Sequence, residues 1–127
     1  MANGDVVTNV GLGVITNRLK AVGVAEPKFI AWGTGTTTPA VTDTIIETAP
    51  GEARTSGTSS QQQTDTADDT YRVVGTITAS TTRAITEVGL FTASSGGSML
   101  VHSVFDVINL TANDSITFTL NVDFDNS

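Results

Sequence analysis

The clearest pattern of apolar and polar positions lies in the last third of the chain, over residues 84–124. From Ile116 to Phe124, large apolar residues alternate strictly with polar ones, and a period of two is typical of a strand with one face in a core. The segments 84–91 and 99–105 are also strand-like, and a Ser- and Gly-rich stretch separates them. We therefore predict three successive strands here. The residues expected in the core are Leu90, Val101, Phe105, Phe118, Leu120 and Val122.

A helical pattern is found near the N-terminus, over residues 6–22. Leu12, Ile15, Leu19 and Val22 recur at spacings of three and four residues, which gives one apolar stripe on a helix. The sequence therefore predicts one N-terminal helix.

Residues 52–70 are polar and of low complexity, and two interpretations stay open. One is a disordered loop, although a loop of that length is unusual in a compact domain. The other, which we favour, is a polar strand that turns at residues 65–69 and returns as a strand over 70–79. With about six to eight short strands, residues 1–127 are predicted to form one mainly β domain, an antiparallel β-sandwich or jelly-roll-like fold with an N-terminal helix.

Composition narrows the classes of function. The 127 residues include no cysteine, which excludes disulfides and thiolate metal sites. Six Lys and Arg residues stand against 13 Asp and Glu residues, and the basic ones are scattered, so we expect no nucleic-acid partner. Apolar runs are too short to predict a membrane span, and the first residues do not resemble a signal peptide. We expect synthesis in a cytoplasm.

Candidate catalytic and ligand-binding residues are few. His102 is the single histidine and is predicted to be a packed strand residue, since catalysis would require a partner group held beside it. The segment 33–37 lacks the lysine of a phosphate-binding loop. Asp65, Asp68 and Asp69 lack the spacing of a helix-loop-helix calcium site. We therefore predict no catalytic, cofactor or metal site, and no enzyme.

Glu87 is the one charged residue that departs from its surroundings. It lies on the same predicted strand face as Ile85, Gly89 and Phe91, where an unpaired carboxylate would be costly. We expect a structural ion pair with an arginine, and Arg54 is the first choice.

Six short segments, taken in order, resemble the small virion proteins of tailed bacteriophages. These segments are Thr8-Asn-Val-Gly11, Ala31-Trp-Gly-Thr-Gly-Thr36, Glu52-Ala-Arg-Thr-Ser56, Ile85-Thr-Glu-Val-Gly-Leu-Phe91, Met99-Leu-Val-His-Ser-Val-Phe105 and Asn113-Asp-Ser-Ile-Thr-Phe118. The resemblance implies a non-enzymatic protein that assembles symmetrically on a virion. The leading expectation is a capsid decoration, or cement, protein: a homotrimer that binds the major capsid protein on the outer capsid surface. A tail, fibre or collar subunit is the alternative, followed by a module that binds a glycan or a host-surface molecule.

Two segments are expected to contact neighbouring molecules, because both are poor at filling a core. They are an N-terminal arm over residues 1–8 and the polar segment 52–70. The candidate contact residues are Ala2, Asn3, Asp5, Thr55, Gln61, Gln62 and Tyr71.

Overall fold

The computed structural model describes residues 5–20, 23 and 25–125. The elements in this part of the chain are β1 (Val6–Val7), α1 (Asn9–Leu19), β2 (Phe29–Gly33), β3 (Thr55–Ser56), β4 (Thr58–Gln62), β5 (Thr70–Thr78), β6 (Arg83–Phe91), β7 (Met99–Leu110) and β8 (Ser115–Asp123). They form a five-stranded sheet, in the order β1-β7-β6-β2-β3, and a three-stranded sheet, in the order β4-β5-β8. The predicted mainly β, sandwich-like fold with one N-terminal helix is confirmed.

The main core lies between the two sheets. Ile30 and Leu90 of the larger sheet and Val73 of the smaller one are fully buried and belong to one apolar cluster. Successive side chains of a strand point to opposite faces of the sheet. In β2, Ile30 and Trp32 therefore join the main cluster, whereas Phe29 and Ala31 pack into a second cluster on the other face. The larger sheet is therefore apolar on both faces.

Most of the expected core is buried, with two exceptions. Leu90, Val101, Phe118 and Val122 are buried, but Phe105 and Leu120 are only half-buried. These two lie where β7 and β8, which follow one another in the chain, diverge into different sheets. The sandwich is open along that side, so the apolar alternation does not lead to full burial there.

The second face of the larger sheet is covered by residues 34–54, which we call the covering loop. It contributes Ile46 to a cluster with Phe91 and Met99. The amide of Thr34 donates to the carbonyl of Thr48 at 2.9 Å, which closes the loop on itself. A connection of this length with no helix or strand of its own is uncommon in compact domains, so its anchorage requires a specific explanation.

The N-terminal residues are part of the sheet, in contrast to the predicted arm over residues 1–8. Val6 and Val7 pair with β7. Thr8 caps the helix, because its hydroxyl accepts from the Gly11 amide at 3.0 Å and donates to the Met99 carbonyl at 2.6 Å. Residues 1–4 lie outside the described part of the chain. The prediction of an arm that is free to reach a neighbouring molecule is therefore wrong for residues 6–8.

The helix is shorter than predicted, and its apolar stripe is largely exposed. Gly11 and Val14 are its buried residues, whereas Leu12 and Leu19 face outward. A Cβ on Gly11 would lie 2.6 Å from the Leu100 carbonyl oxygen, so the helix lies against β7 through its smallest residue. The helix is therefore oriented by close packing at Gly11 together with the burial of Val14 and the contact of Ile15 with the main core. Val22 lies outside the described residues.

The polar segment 52–70 forms the favoured hairpin. β4 pairs antiparallel with β5 from Thr58 to Gln62, and the turn lies between them. The preceding strand, β3, pairs instead with β2 of the other sheet. The segment therefore passes from one sheet to the other at Gly57.

Three leucines of different exposure test this description of the core. Leu90 is fully buried, Leu120 is half-buried and Leu19 is 83% exposed. We expect Leu90→Ala to lower the free energy of unfolding by about 2–5 kcal/mol, with a smaller loss for Leu120→Ala and at most about 0.5 kcal/mol for Leu19→Ala. Urea denaturation followed by circular dichroism measures all three. An equal loss for Leu90→Ala and Leu120→Ala would contradict the open side of the sandwich.

Candidate functional site

The Glu87 carboxyl group is fully buried, accepts hydrogen bonds from three backbone amides and forms a fourth contact with His102. Its Oε2 accepts from the amides of Gly35 at 2.6 Å and Thr48 at 3.1 Å. Its Oε1 accepts from the Glu47 amide at 2.9 Å and is 2.9 Å from Nε2 of His102. The three amides belong to the covering loop. Glu87 therefore fastens the start of that loop, at Gly35, and its segment at Glu47 and Thr48 to β6.

His102 lies between two carboxylates and is itself buried. Its Nδ1 is 2.7 Å from Oδ2 of Asp43, and its Nε2 contacts Glu87. Ionised carboxylates only accept hydrogen bonds, so both contacts are satisfied together when the ring carries two protons or when one carboxyl group is protonated. Burial raises the pKa of Asp43, but hydrogen bonds from the Ala40 amide and His102 outweigh it, and the pKa is below its ordinary value. We call Asp43, Glu87 and His102, with the loop amides, the Glu87 cluster.

A β-bulge aims the carboxylate away from the main core. The pairing of β6 with β7 shifts register between Ile85 and Glu87, so that Ile85 belongs to the main core. The hydroxyl of Thr86 donates to the Gly35 carbonyl at 2.6 Å. Between the pairs Ile85–Ile108 and Glu87–Val104, β6 has only Thr86 whereas β7 has three residues, 105–107, and such an irregularity bends the strands and redirects neighbouring side chains. The expectation that Glu87 shares a face with Ile85 is therefore wrong.

Two glycines make room for the buried carboxylate. A Cβ on Gly33 would lie 2.6 Å from Oε2 of Glu87, and one on Gly35 would collide with the same oxygen. The Trp-Gly-Thr-Gly segment therefore ends β2 with residues small enough for an acidic side chain to approach the backbone. This close approach explains the glycines without a phosphate ligand.

Arg54 is not the partner of Glu87, so the expected ion pair is replaced by a different arrangement. Its guanidinium lies 3.6 Å from the ring centroid of Phe91 and donates to the carbonyls of Ala93 at 2.9 Å and Gly96 at 2.7 Å. The stacking is a cation–π contact. Arg54 thus fixes the β6–β7 turn, while histidine and backbone amides satisfy the buried carboxylate.

A second polar cluster, which we call the Glu52 cluster, anchors the end of the covering loop. Glu52 pairs with Arg83 at 2.7 Å and accepts from the Ser80 hydroxyl at 2.6 Å and the Trp32 indole at 3.1 Å. The hydrogen bonds from Arg83, opposed by burial and aided by Ser80 and Trp32, lower the pKa of Glu52 to about 2. Arg83 therefore pairs with Glu52.

These contacts indicate a structural role for both clusters. Both ring nitrogens of His102 face carboxylates, and the ring is 3% exposed, so the histidine has no nitrogen directed at solvent. Every buried side-chain nitrogen and oxygen in the described part of the chain has a partner. Within residues 5–125 as described, no group of three or more His, Asp and Glu residues is placed to hold a metal ion.

The acidic turn between β4 and β5 is organised by Asp69. Its carboxylate accepts from the amides of Thr66, Thr64 and Asp65, which hold the pKa of Asp69 well below its usual range. Asp68 adopts a left-handed conformation, with φ of 63°. The Asp69 carboxylate therefore stabilises the backbone of its own turn.

A groove lies on the open side of the sandwich, between β7 and β8. β8 pairs with β5, and β7 pairs with β6 on one edge and with β1 only at Val101 and His102 on the other. Among the described strands, residues 103–110 of β7 and the whole of β8 therefore have one unpaired edge each. The groove has a volume of about 760 Å³. Its apolar lining includes Val104, Phe105, Ile108, Ile116, Phe118 and Leu120.

The candidate contact residues differ in their exposure and in their hydrogen-bond partners. Asp5 accepts from the Ser103 hydroxyl at 2.5 Å and lies at the groove. The Thr55 hydroxyl donates to the Thr76 carbonyl at 3.0 Å, and the Tyr71 hydroxyl donates to the Pro27 carbonyl at 2.8 Å. These three side chains therefore have partners within the chain. Gln61 is exposed, Gln62 is half-buried and donates to Ser60 at 2.9 Å, and Ala2 and Asn3 lie outside the described residues.

Sequence reasoning missed the partnership of Glu87 with His102, although a signal existed. Both residues interrupt apolar stretches on predicted neighbouring strands, so each was the natural partner of the other. Asp43 gave no signal, because it lies in a loop whose position depends on distant contacts.

No family model, curated protein or solved structure matches this chain. In the described residues, no helix is long and apolar enough to cross a membrane. The contacts above and the resemblance of the sequence motifs are what support a function.

Substitutions of Glu87, on β6, and of Glu47, in the covering loop, test the Glu87 cluster. Glu87→Gln replaces one acceptor oxygen by an amide that faces backbone donors, and we expect a loss of about 3–5 kcal/mol in unfolding free energy. Glu47→Gln is the matched control, because the Glu47 side chain is exposed and its Oε1 accepts from the amides of Thr36 and Thr37 at the surface, where we expect a loss of at most about 1 kcal/mol. Urea denaturation measures both. Equal losses would show that the buried carboxylate has no special role.

The Glu52 cluster predicts an acid-dependent loss of stability. The folded-state pKa of Glu52 is lowered from 4.5 to about 2, so its contribution is present above pH 4.5 and is lost as the pH falls towards 2. We expect Glu52→Gln to be less stable than wild type at neutral pH, with a gap that narrows over this range. Urea midpoints measured from pH 7 to 2 give the gap, and a constant gap would contradict the ion pair with Arg83.

Proposed function

We propose that this chain is a non-enzymatic structural protein of a tailed-bacteriophage virion, a decoration protein that binds the outer capsid surface and stabilises the shell. The observation that carries the proposal is a firmly anchored sandwich with one open side, where two strand edges and an apolar groove face outward. A chain with this surface is suited to attach to another protein. Its buried histidine and carboxylates serve the fold.

The motif resemblance gains support from where its residues lie. Trp32 and Gly35, Glu52, Glu87 and His102 come from four of the resembling segments, and they build the Glu87 and Glu52 clusters. The segments therefore encode one connected set of contacts that anchors the covering loop.

The net charge of the chain and the repetition of binding sites on a capsid both support a role in capsid decoration. A net charge of −7 opposes nonspecific adsorption to DNA or anionic membranes. A capsid lattice repeats one site many times, so weak contacts, made by a homotrimer in this proposal, add up through multivalency. The major capsid protein is the proposed partner, with no nucleic acid, membrane or cofactor involved, and the virion surface is the proposed location.

Purified virions provide the test. We expect a density map to show the protein at symmetric positions on the outer shell, in many copies, and we expect shells that lack it to release DNA at a lower temperature. Re-addition of the purified protein serves as the control and should restore the release temperature. A few copies confined to the tail would support the tail, fibre or collar alternative, and absence from virions would refute both.

A further inference from the structure

The unpaired edges of β7 and β8 present backbone donors and acceptors on the open side of the sandwich. Residues 103–110 of β7 pair with β6 alone, and β8 pairs with β5 alone, among the described strands. An exposed edge is a template for a further strand from another chain, and extended peptides bind to proteins by this addition. The backbone hydrogen bonds give affinity, and adjacent pockets for alternate side chains give specificity.

The groove beside these edges can receive such side chains. Phe105 and Phe118 lie within it, with ring centroids 6.2 Å apart, and Phe105 is only half-buried. Ile108 also lines the groove and is 40% exposed. Side chains of an added strand that point inward would therefore meet aromatic and aliphatic groups.

The charge around the groove selects the kind of strand. The titratable residues in its described lining are Asp5, Asp106 and His102, whose ring nitrogens contact Asp43 and Glu87, and this lining includes no lysine or arginine. Complementary potentials across an interface favour encounter and suppress wrong partners. We propose that the groove between β7 and β8 binds an extended segment of another protein, in which apolar residues alternate with lysine or arginine. This inference rests on the proposed function, in which the segment belongs to the capsid shell.

A second copy of this chain is a poor occupant for the same groove. Acidic residues outnumber basic ones by 13 to 6 in the whole chain. Asp106 on β7, Asp123 on β8 and Asp114 between them are exposed. Pairing of two such edges would bring like charges together, which is destabilising.

Two synthetic peptides of about nine residues, a typical strand length, probe the groove directly. Valine alternates with lysine in one and with glutamate in the other. We expect the lysine peptide to bind, as measured by fluorescence anisotropy, and to shift the amide resonances of residues 103–110 and 115–121. The glutamate peptide should not bind. Binding of neither peptide, or equal binding of both, would overturn the proposal.

Matched variants locate the interaction. Asp106→Lys should weaken binding of the lysine peptide about fivefold or more, because attraction is replaced by repulsion, and should improve binding of the glutamate peptide. Asp65→Lys makes the same change at the exposed β4–β5 turn and should leave binding unchanged. Ile108→Ser should weaken binding, whereas Ile45→Ser, at an exposed loop residue, should not. Equal effects of each variant and its control would refute the assignment.

Failure here is separable from failure of the proposed function. If the protein decorates capsids but Asp106→Lys and Ile108→Ser decorate equally well, the groove assignment is wrong and the decoration proposal stands. If the lysine peptide binds as described but virions lack the protein, the groove assignment stands and its virion role does not. Self-association that Ile108→Ser abolishes would place a second copy in the groove and overturn the proposed occupant.

Discussion

The structure depends on one buried carboxyl group, that of Glu87. Burial of such a group is costly unless it is hydrogen-bonded, and here its partners are His102 and three amides of the covering loop. The carboxyl group needs the loop for its hydrogen bonds. The loop in turn has no regular secondary structure, so the same hydrogen bonds fix its position. A polar interaction therefore decides how the outer face of the larger sheet is covered, and Ile46 follows it into the second apolar cluster.

Buried polar groups are paired beneath the covering loop, whereas among the described strands β7 and β8 leave backbone groups unpaired along the open side. Beneath the covering loop, buried donors and acceptors are paired by named side chains, and the Glu52 cluster continues this pattern at the end of the loop. Along β7 and β8, backbone groups remain on open edges beside half-buried aromatic rings. Exposed carboxylates such as Asp106 are a means by which strand edges avoid unwanted pairing. The same residues would admit a partner of opposite charge.

The sequence predicted the fold class well because alternation is a local signal. The strands over residues 84–91 and 115–123 and four of the six core residues could be identified from spacing alone, whereas the hairpin at β4 and β5 was the favoured one of two interpretations that the polar segment 52–70 left open. The irregular pairing at Thr86 could not be identified in this way, because three residues of β7, 105–107, lie opposite this one residue, and the alternation along each strand does not mark where such an irregularity occurs. The half-burial of Phe105 and Leu120 also depended on which sheet each strand joins. Contacts of the covering loop are long-range and depend on the assembled sheet.

The passage of the chain between sheets at Gly57 has a mechanical consequence. The amide of Gly57 donates to the Lys28 carbonyl at 2.7 Å, while the residues before and after it pair with β2 and β5. A pulling force applied to the β4–β5 hairpin therefore divides between both sheets. Rupture would require rows of hydrogen bonds in two sheets to shear together, whereas a hairpin held by one sheet would peel away bond by bond. We expect the sandwich to resist tension along this direction more strongly than across its open side.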